Sequence, residues 1–491
     1  MAISKPNGRI RTTPAIRLLN IGGASMSASI MHYSGAAEIR FALTALMPSI
    51  EPFWNQPIAA YAAAAYRLDR PQSRSCVRNH AMTLLRAVTE RAALKAGYDT
   101  DETAAAGREL LQSPVIQTGP HCLLLFEPDA FYTHLFSLLG LAAHRREWHI
   151  TYFGTTMSFK ESAKKGPGWL RIDGEPLNLF GLPRSRMDGR SICCPNGPYR
   201  FALTNSEGKK TPTQASRQLL DDLPSFSFGS AAEAIKCANQ ILWQKRMGTP
   251  LKLLQLDDFD VAELIADHLD DTGSWMAKCF VSGGEAEKIS ADIDRLNAGP
   301  WRGWIKRTTD HFWLVERDSV VPLRLYAGYL RSGNACHPDI EFTPSAIAAA
   351  LRDRKLLPSL FTAFLVLSIL PGVRALGGCR QTVYLPLMRY LTALSVTRYG
   401  DYELLDALRQ DERPGQWGHR VFLPAAADPI LEVDTAGGIS TLLHKYRNMR
   451  VTEASGDLTS FTKDAIWAEM AKHLANGDIS AGSPEWSWSA A

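Results

Sequence analysis

Three short stretches carry residue types that could act on a ligand. They are Thr118-Gly119-Pro120-His121, the run from Gly154 through Thr155, Thr156 and Met157 to Ser158, and Gly377-Gly378-Cys379-Arg380-Gln381. Imidazole exchanges protons near neutral pH, so His121, or His134 a little further on, is a candidate general base. Arg380 offers a rigid fork suited to a carboxylate or phosphate, with Gln381 beside it. The hydroxyls of Thr118, Thr155, Thr156 and Ser158 can hydrogen-bond a substrate but have no useful basicity near neutral pH. Gly119 and the pair Gly377-Gly378 let the backbone approach whatever sits above them. Tyr132 reads as a packed ring whose hydroxyl orients a partner, and Cys122, inside an apolar run, reads as core and not as a nucleophile. Each feature also has a plainer reading: ordinary turns, satisfied structural histidines and a solvated arginine.

Better-known chemistries are absent from the sequence. The eight cysteines form no Cys-x-x-Cys, and the adjacent Cys193 and Cys194 cannot chelate zinc in the usual loop geometry, so no metal site is expected. The twelve histidines include no His-Glu-x-x-His. Phosphate-cradling glycine loops, the nucleophile elbow and the kinase signatures are likewise missing. A net charge of +4 over 491 residues, with basic runs no longer than a pair or triple, argues against a nucleic-acid groove. The most apolar run, Leu360 to Leu370, falls well short of the roughly 20 residues needed to span a membrane. The first residues lack the apolar core of a signal peptide, and unpaired thiols suit a reducing compartment, so a cytoplasmic protein is expected.

The chain length predicts about two to three domains. Residues 1–110 read as helical, from alanine-, leucine- and arginine-rich runs such as "AAYAAAAYRLDR" and "VRNHAMTLLRAVTERAALKAGY". "PVIQ" then reads as a strand, "DAFYTHLFSLLGLAAHRR" as a helix opened by Asp129 as N-cap, and "WHITYFG" as a second strand. Strand, helix, strand is the βαβ unit of a parallel sheet, whose ligands gather at the carboxyl ends of the strands. The loops 118–121 and 154–161 would lie side by side there, where helix N-termini favour an anion. Residues 165–215, dense in Gly, Pro, Arg and Asn, predict a β-rich or irregular insertion. "TPLKLLQL" reads as a strand followed by an acid-rich helix, "EAEKISADIDRLNA" as a helix, and "HFWLVERDSVVPLRLY" as a hairpin turning at Arg317-Asp318. "FTAFLVLSI" reads as a buried strand, with Gly377-Gly378 ending a core strand. The tail from about 460 is weakly patterned and reads as loose.

Taken in order, these elements resemble the cysteine-adding enzyme family of bacillithiol biosynthesis over roughly residues 110–395. The resemblance rests on "FWLVERDSVVPLRL", "FTPSAIAAALRDRKLLPSLFTAFLVLSI", "LGGCRQTVYLPLM", and Thr118-Gly119-Pro120-His121 followed by Phe131-Tyr132-Thr133-His134. It implies an α/β fold: a Rossmann-like, mainly parallel sheet core over 111–395, with helical additions at 1–110 and 396–491. It also implies a ligase-like enzyme joining an amino acid or other amine to a small polar acceptor in specialised metabolite assembly. The family's acidic-histidine loop is replaced here by Thr155, Thr156 and Ser158, while Phe159 and Glu161 keep their places. The chemistry is therefore expected to have diverged from cysteine addition, with His121, His134 or Glu161 as base. A non-catalytic small-molecule-binding or scaffold protein is the alternative. Use of a nucleotide such as ATP stays open, and so does a homodimeric state.

Overall fold

The computed structural model describes residues 26–67, 73–159, 165–205, 208–209, 213–334, 336–411, 415–423 and 428–488. The alanine-rich run forms the helix Ile58–Tyr66, burying Tyr61, Ala62, Ala65 and Tyr66. Small side chains let this helix lie close against the helix Pro128–Ala143. At their contact a Cβ on Gly140 would stand 2.1 Å from the Tyr66 ring, so only glycine fits. Helices Met26–Leu46, Cys76–Lys95 and Thr100–Gln112 complete the helical N-terminal region.

The strands follow in chain order. β1 (Val115–Gln117) and β2 (Trp148–Tyr152) are buried at every residue, and the helix Pro128–Ala143 joins them as a βαβ unit. β3 (Trp169–Ile172) and β4 (Glu175–Asn178) pair as a separate hairpin. β5 (Lys252–Leu256) follows the helix Ala231–Arg246 and leads into the helix Asp258–Asp270. β6 (Phe312–Val315), β7 (Val320–Tyr326), β8 (Tyr329–Ser332), β9 (Ile340–Glu341) and β10 (Leu356–Pro358) build an antiparallel sheet in the order β10-β6-β7-β8-β9. β11 (Arg374–Gly377) leads into the helix Gln381–Tyr399, and β12 (Gly415–Trp417) comes last.

Strands β12-β11-β1-β2-β5 form one five-stranded sheet in that order, and every neighbouring pair is parallel. The chain runs outward from β1 through β2 to β5, then returns to the opposite side of β1 for β11 and β12. The order reverses between β1 and β11, which makes that boundary the switch point of the sheet.

Several expectations change. "FTAFLVLSI" is not a strand: it is the helix Leu360–Phe364 running into a wider turn at Leu365–Ile369. Nearly every residue of it is buried, and an all-apolar run has no periodicity to tell strand from helix. The strand that ends at the glycine pair is β11. β12 lies in the region expected to be purely helical, so the sheet extends beyond residue 395. The 111–395 core is also less parallel than expected, because it contains the antiparallel sheet. Residues 165–215 are mostly irregular around one hairpin. Glu127 and not Asp129 caps the helix at 128, accepting from the amides of Asp129 and Ala130. The tail is packed: Trp486 stacks on Trp301 at 5.6 Å and donates to the Leu46 carbonyl at 3.1 Å. Among the described residues no helix is long and apolar enough to cross a membrane.

Candidate functional site

The carboxyl ends of all five parallel strands open on one cavity of about 650 Å³. After β1 the chain is pinned to its neighbour across the switch point. The Thr118 amide and hydroxyl both reach the Leu376 carbonyl, at 2.7 and 2.9 Å. Gly119 follows because the loop after β12 passes directly against it, and a Cβ there would stand 2.3 Å from the Cβ of His419. At Gly377 a Cβ would lie 2.0 Å from Oε1 of Gln381, so the end of that side chain would have to turn away. His121 and Arg420 both adopt left-handed backbone, at φ 47° and 54°. Strain of this kind in residues other than glycine persists only where the surroundings hold it.

At one part of the cavity His121 meets His419 edge to face, 5.8 Å between ring centres. His419 is buried, and its Nδ1 lies 2.8 Å from the Thr133 hydroxyl. That hydroxyl donates its one proton to the Asp129 carbonyl at 2.7 Å, so it must accept from His419 Nδ1–H. Nε2 of His419 is then the lone-pair nitrogen. Burial, with the neighbouring His121, holds the His419 pKa well below the ordinary histidine range, so the ring is neutral. Beside it Asp129 is bridged by Arg420 and by Lys165, the latter at 2.8 Å. Burial opposes ionisation of Asp129, yet these cations hold its pKa below the usual carboxylate range. Glu127 is treated the opposite way: burial, then the adjacent Asp129 charge, push its carboxyl up to about 8.

The loop after β2 is organised by Asp258, at the start of the helix after β5. Its carboxylate accepts from the Tyr152 hydroxyl at 2.5 Å, the Thr155 amide at 2.6 Å and hydroxyl at 2.9 Å, and the Thr156 amide at 3.0 Å. Burial raises its pKa despite these donors. Beyond β11, Gln381 is buried, and its Oε1 meets the hydroxyls of Thr118 at 2.8 Å and Tyr384 at 2.9 Å. Its Nε2 has no hydrogen-bond partner among the described residues. Arg380 makes a two-pronged pair with Asp464, at 2.6 and 2.7 Å. Tyr152, Phe364 and Tyr384 form an aromatic wall.

Of the residues singled out in the sequence, Thr118, Gly119, His121, Thr156, Gly378, Arg380 and Gln381 line this cavity. Others do not. Thr155 and Gly377 are buried beside it, the first held by Asp258 and the second packed on Gln381. Ser158 is bridged to Ser191, and Tyr132 donates to Glu432 at 2.5 Å. His134 is sealed in the core, its Nδ1 3.0 Å from His149 Nε2, and burial pulls its pKa down to about 3. It has no route to a substrate in the cavity. Glu161 lies outside the described residues. Arg380 is not an open fork, because Asp464 already occupies it.

Sequence reasoning missed His419, Arg420, Asp129, Asp258 and Asp464 as cavity residues. Two signals were there to use. "QWGHR" repeats the pattern of "QTGPH", a short strand running into glycine and histidine. Asp257-Asp258 follows an apolar strand directly, where polar residues mark the ligand edge. Among the described residues, no group of three or more His, Cys, Asp or Glu is arranged to hold a metal ion.

Fold and site together define an α/β protein with a small-molecule-sized cleft at the switch point of a parallel sheet. The chain matches no protein-family model, and no curated protein matches its sequence.

Proposed function

We propose that this chain is a biosynthetic enzyme of the ligase or transferase type on a Rossmann-like core. It would join an amino acid or another amine to a small polar acceptor in specialised metabolite assembly. The observation that carries the reading is one cleft holding a histidine pair beside fixed charges of both signs. As the C–N bond forms, His121 takes the proton of the attacking nitrogen, and the displaced group leaves the acceptor with the bonding electrons. The lone pair of neutral His419 lies next to it to relay that proton. The pairs Asp129–Arg420 and Asp464–Arg380 set the local field of the cleft, and a charged reactant would have to share or displace one of these ion pairs. The aromatic wall takes the apolar part of either reactant. Divergence from cysteine addition is supported by Thr155 and Thr156, whose hydroxyl or amide groups are committed to Asp258 and supply no base.

The test is direct. The full chain is incubated with amino acids and small carboxylate or sugar-phosphate acceptors, with and without ATP and magnesium, and products are read by mass spectrometry. A joined product that depends on His121 supports the reading. The pairing of Arg380 and Arg420 with acids of the protein itself favours a second one, a non-catalytic binding protein. In that case no product forms, yet an amino acid stabilises the fold, by about 2.7 kcal/mol at 100 times its Kd.

A further inference from the structure

A second cavity, of about 270 Å³, is lined by residues that the cleft does not use. The segment Leu46–Phe53, the helix Ile58–Tyr66, the helix Gln381–Tyr399 and the tail residues Trp486 and Trp488 surround it. Five aromatic residues, Phe53, Tyr61, Trp417, Trp486 and Trp488, stand in its walls among aliphatic and polar ones. Arg389 reaches into this apolar space, although it is only 4% exposed.

Among the described residues the charge count there does not balance. Arg389 donates through Nη2 to the Leu408 carbonyl and lies 5.3 Å over the Trp488 ring. Its Nε has no hydrogen-bond partner among the described residues. Asp411 stands 3.9 Å away, but both of its carboxylate oxygens are taken by Arg78, at 2.6 and 2.7 Å. Two buried guanidinium groups therefore share one carboxylate. Burial, reinforced by the Arg78 charge, pulls the Arg389 pKa down to about 10. A desolvated cation at the wall of a cavity, with an unsatisfied donor just beneath the surface, has no anion to itself among the described residues.

We propose that this cavity is a second small-molecule site that binds a small monocarboxylate with a flat apolar body, its carboxylate on Arg389 and its ring among the tryptophans. One surplus positive charge among the described residues matches one carboxylate, whereas a phosphate dianion would leave an uncompensated charge in a largely apolar pocket. Flat aromatic walls suit a ring, and the volume, at the low end for ligand pockets, suits a single one. The site is distinct from the cleft, yet the two are neighbours along the chain. Gln416 and Trp417 line this cavity, and His419 and Arg420 line the cleft.

Calorimetric titration of the full chain with phenylacetate and with its uncharged counterpart phenylacetamide tests the proposal. Phenylacetate is expected to bind about tenfold or more tightly than the amide, the usual worth of a charge-assisted hydrogen bond. Arg389→Met should abolish that preference, Trp488→Ala should weaken both ligands several-fold, and His121→Ala should leave the preference intact. Equal affinity for acid and amide, no binding of phenylacetate, or a preference that survives Arg389→Met would overturn the site. Loss of the preference in His121→Ala would assign the binding to the cleft instead. If Arg389→Met does not fold, the half-buried Trp488 decides: unchanged phenylacetate affinity in Trp488→Ala overturns the proposal.

Discussion

Of the three histidine pairs that meet edge to face among the described residues, two are tied to the helix Pro128–Ala143: His121 with His419 at 5.8 Å and His134 with His149 at 5.1 Å. The second pair is sealed: each ring is fully buried, they bond to each other, and Trp243 packs on both. The first pair stands at the mouth of strands β1 and β12, with His121 exposed to the cleft. The two pairs are tied to neighbouring residues of one helix, because Thr133 bonds His419 while His134 turns into the core. A step of one residue on a helix swings a side chain by about 100°, enough here to separate a contact at the cleft from one in the core. Residue type does not distinguish the pairs. Depth and the second partner do.

The sharpest way to break this contrast is to remove one member of each pair. His121→Ala should lower the rate of the proposed joining reaction by roughly 10²–10⁴-fold, the worth of a positioned general base, while the melting temperature stays close to that of the parent. A full-rate His121→Ala enzyme would remove the cleft pair from the chemistry. His134→Ala should do the reverse. It leaves a cavity and strips His149 of its partner, costing about 3 kcal/mol in urea unfolding.

The core pair should also govern how stability follows pH. The folded chain keeps His134 neutral down to about pH 3, whereas the unfolded chain takes up a proton near 6.5. Stability is therefore complete above about 6.5 and falls as the solution is acidified, by about 2 kcal/mol for this residue at pH 5. Comparing urea midpoints at pH 7 and pH 5 should show the loss, and His134→Leu should shrink it by that amount. An unchanged pH response would place its origin in other buried histidines such as His268 or His311, whose pKa values burial also lowers, to about 3 and 4.

Smaller effects sharpen the cleft side of the comparison. Gly119→Ala drives a methyl group into His419, so it should cost roughly 1–3 kcal/mol of strain and slow the reaction by displacing the imidazole from Thr133. Parental rate and stability in the Gly119→Ala variant would mean that the β1 and β12 loops separate freely. Arg380→Gln is the mildest change. Its partner Asp464 is largely covered, but the guanidinium side chain is 46% exposed, so the stability loss should stay under about 1 kcal/mol. A larger loss would make the ion pair a structural clasp.

Legibility in the sequence followed burial. β1, β2 and β5 are short apolar runs bounded by glycine, proline or polar residues, and the βαβ unit they begin could be read directly. The same signal failed at "FTAFLVLSI", because a helix buried on all sides is as apolar as a central strand. β12 was invisible: three residues, Gly415-Gln416-Trp417, carry no period, and the neighbour that makes them a strand is distant in the chain. The cleft was legible to the same extent. Loops after the recognised strands gave Thr118, His121 and Thr156, and the glycine pair gave Arg380 and Gln381. That Thr155 is used up by Asp258, or Arg380 by Asp464, is a matter of tertiary contact, and no local pattern announces it.

β12 and Asp464 come from the part of the chain that leaves the ribosome late. Until β12 is made, β11 is the border of the sheet, with its outer hydrogen-bonding groups unpaired and an apolar segment behind it. An unpaired border of this kind recruits other chains as readily as its own missing strand. Synthesis that stalls between the two glycine-bearing strands would then yield a sticky fragment that lacks His419. The stretch translated after β11 both pairs its open border and brings His419 to the cleft, so sheet closure and completion of the histidine pair fall in the same step.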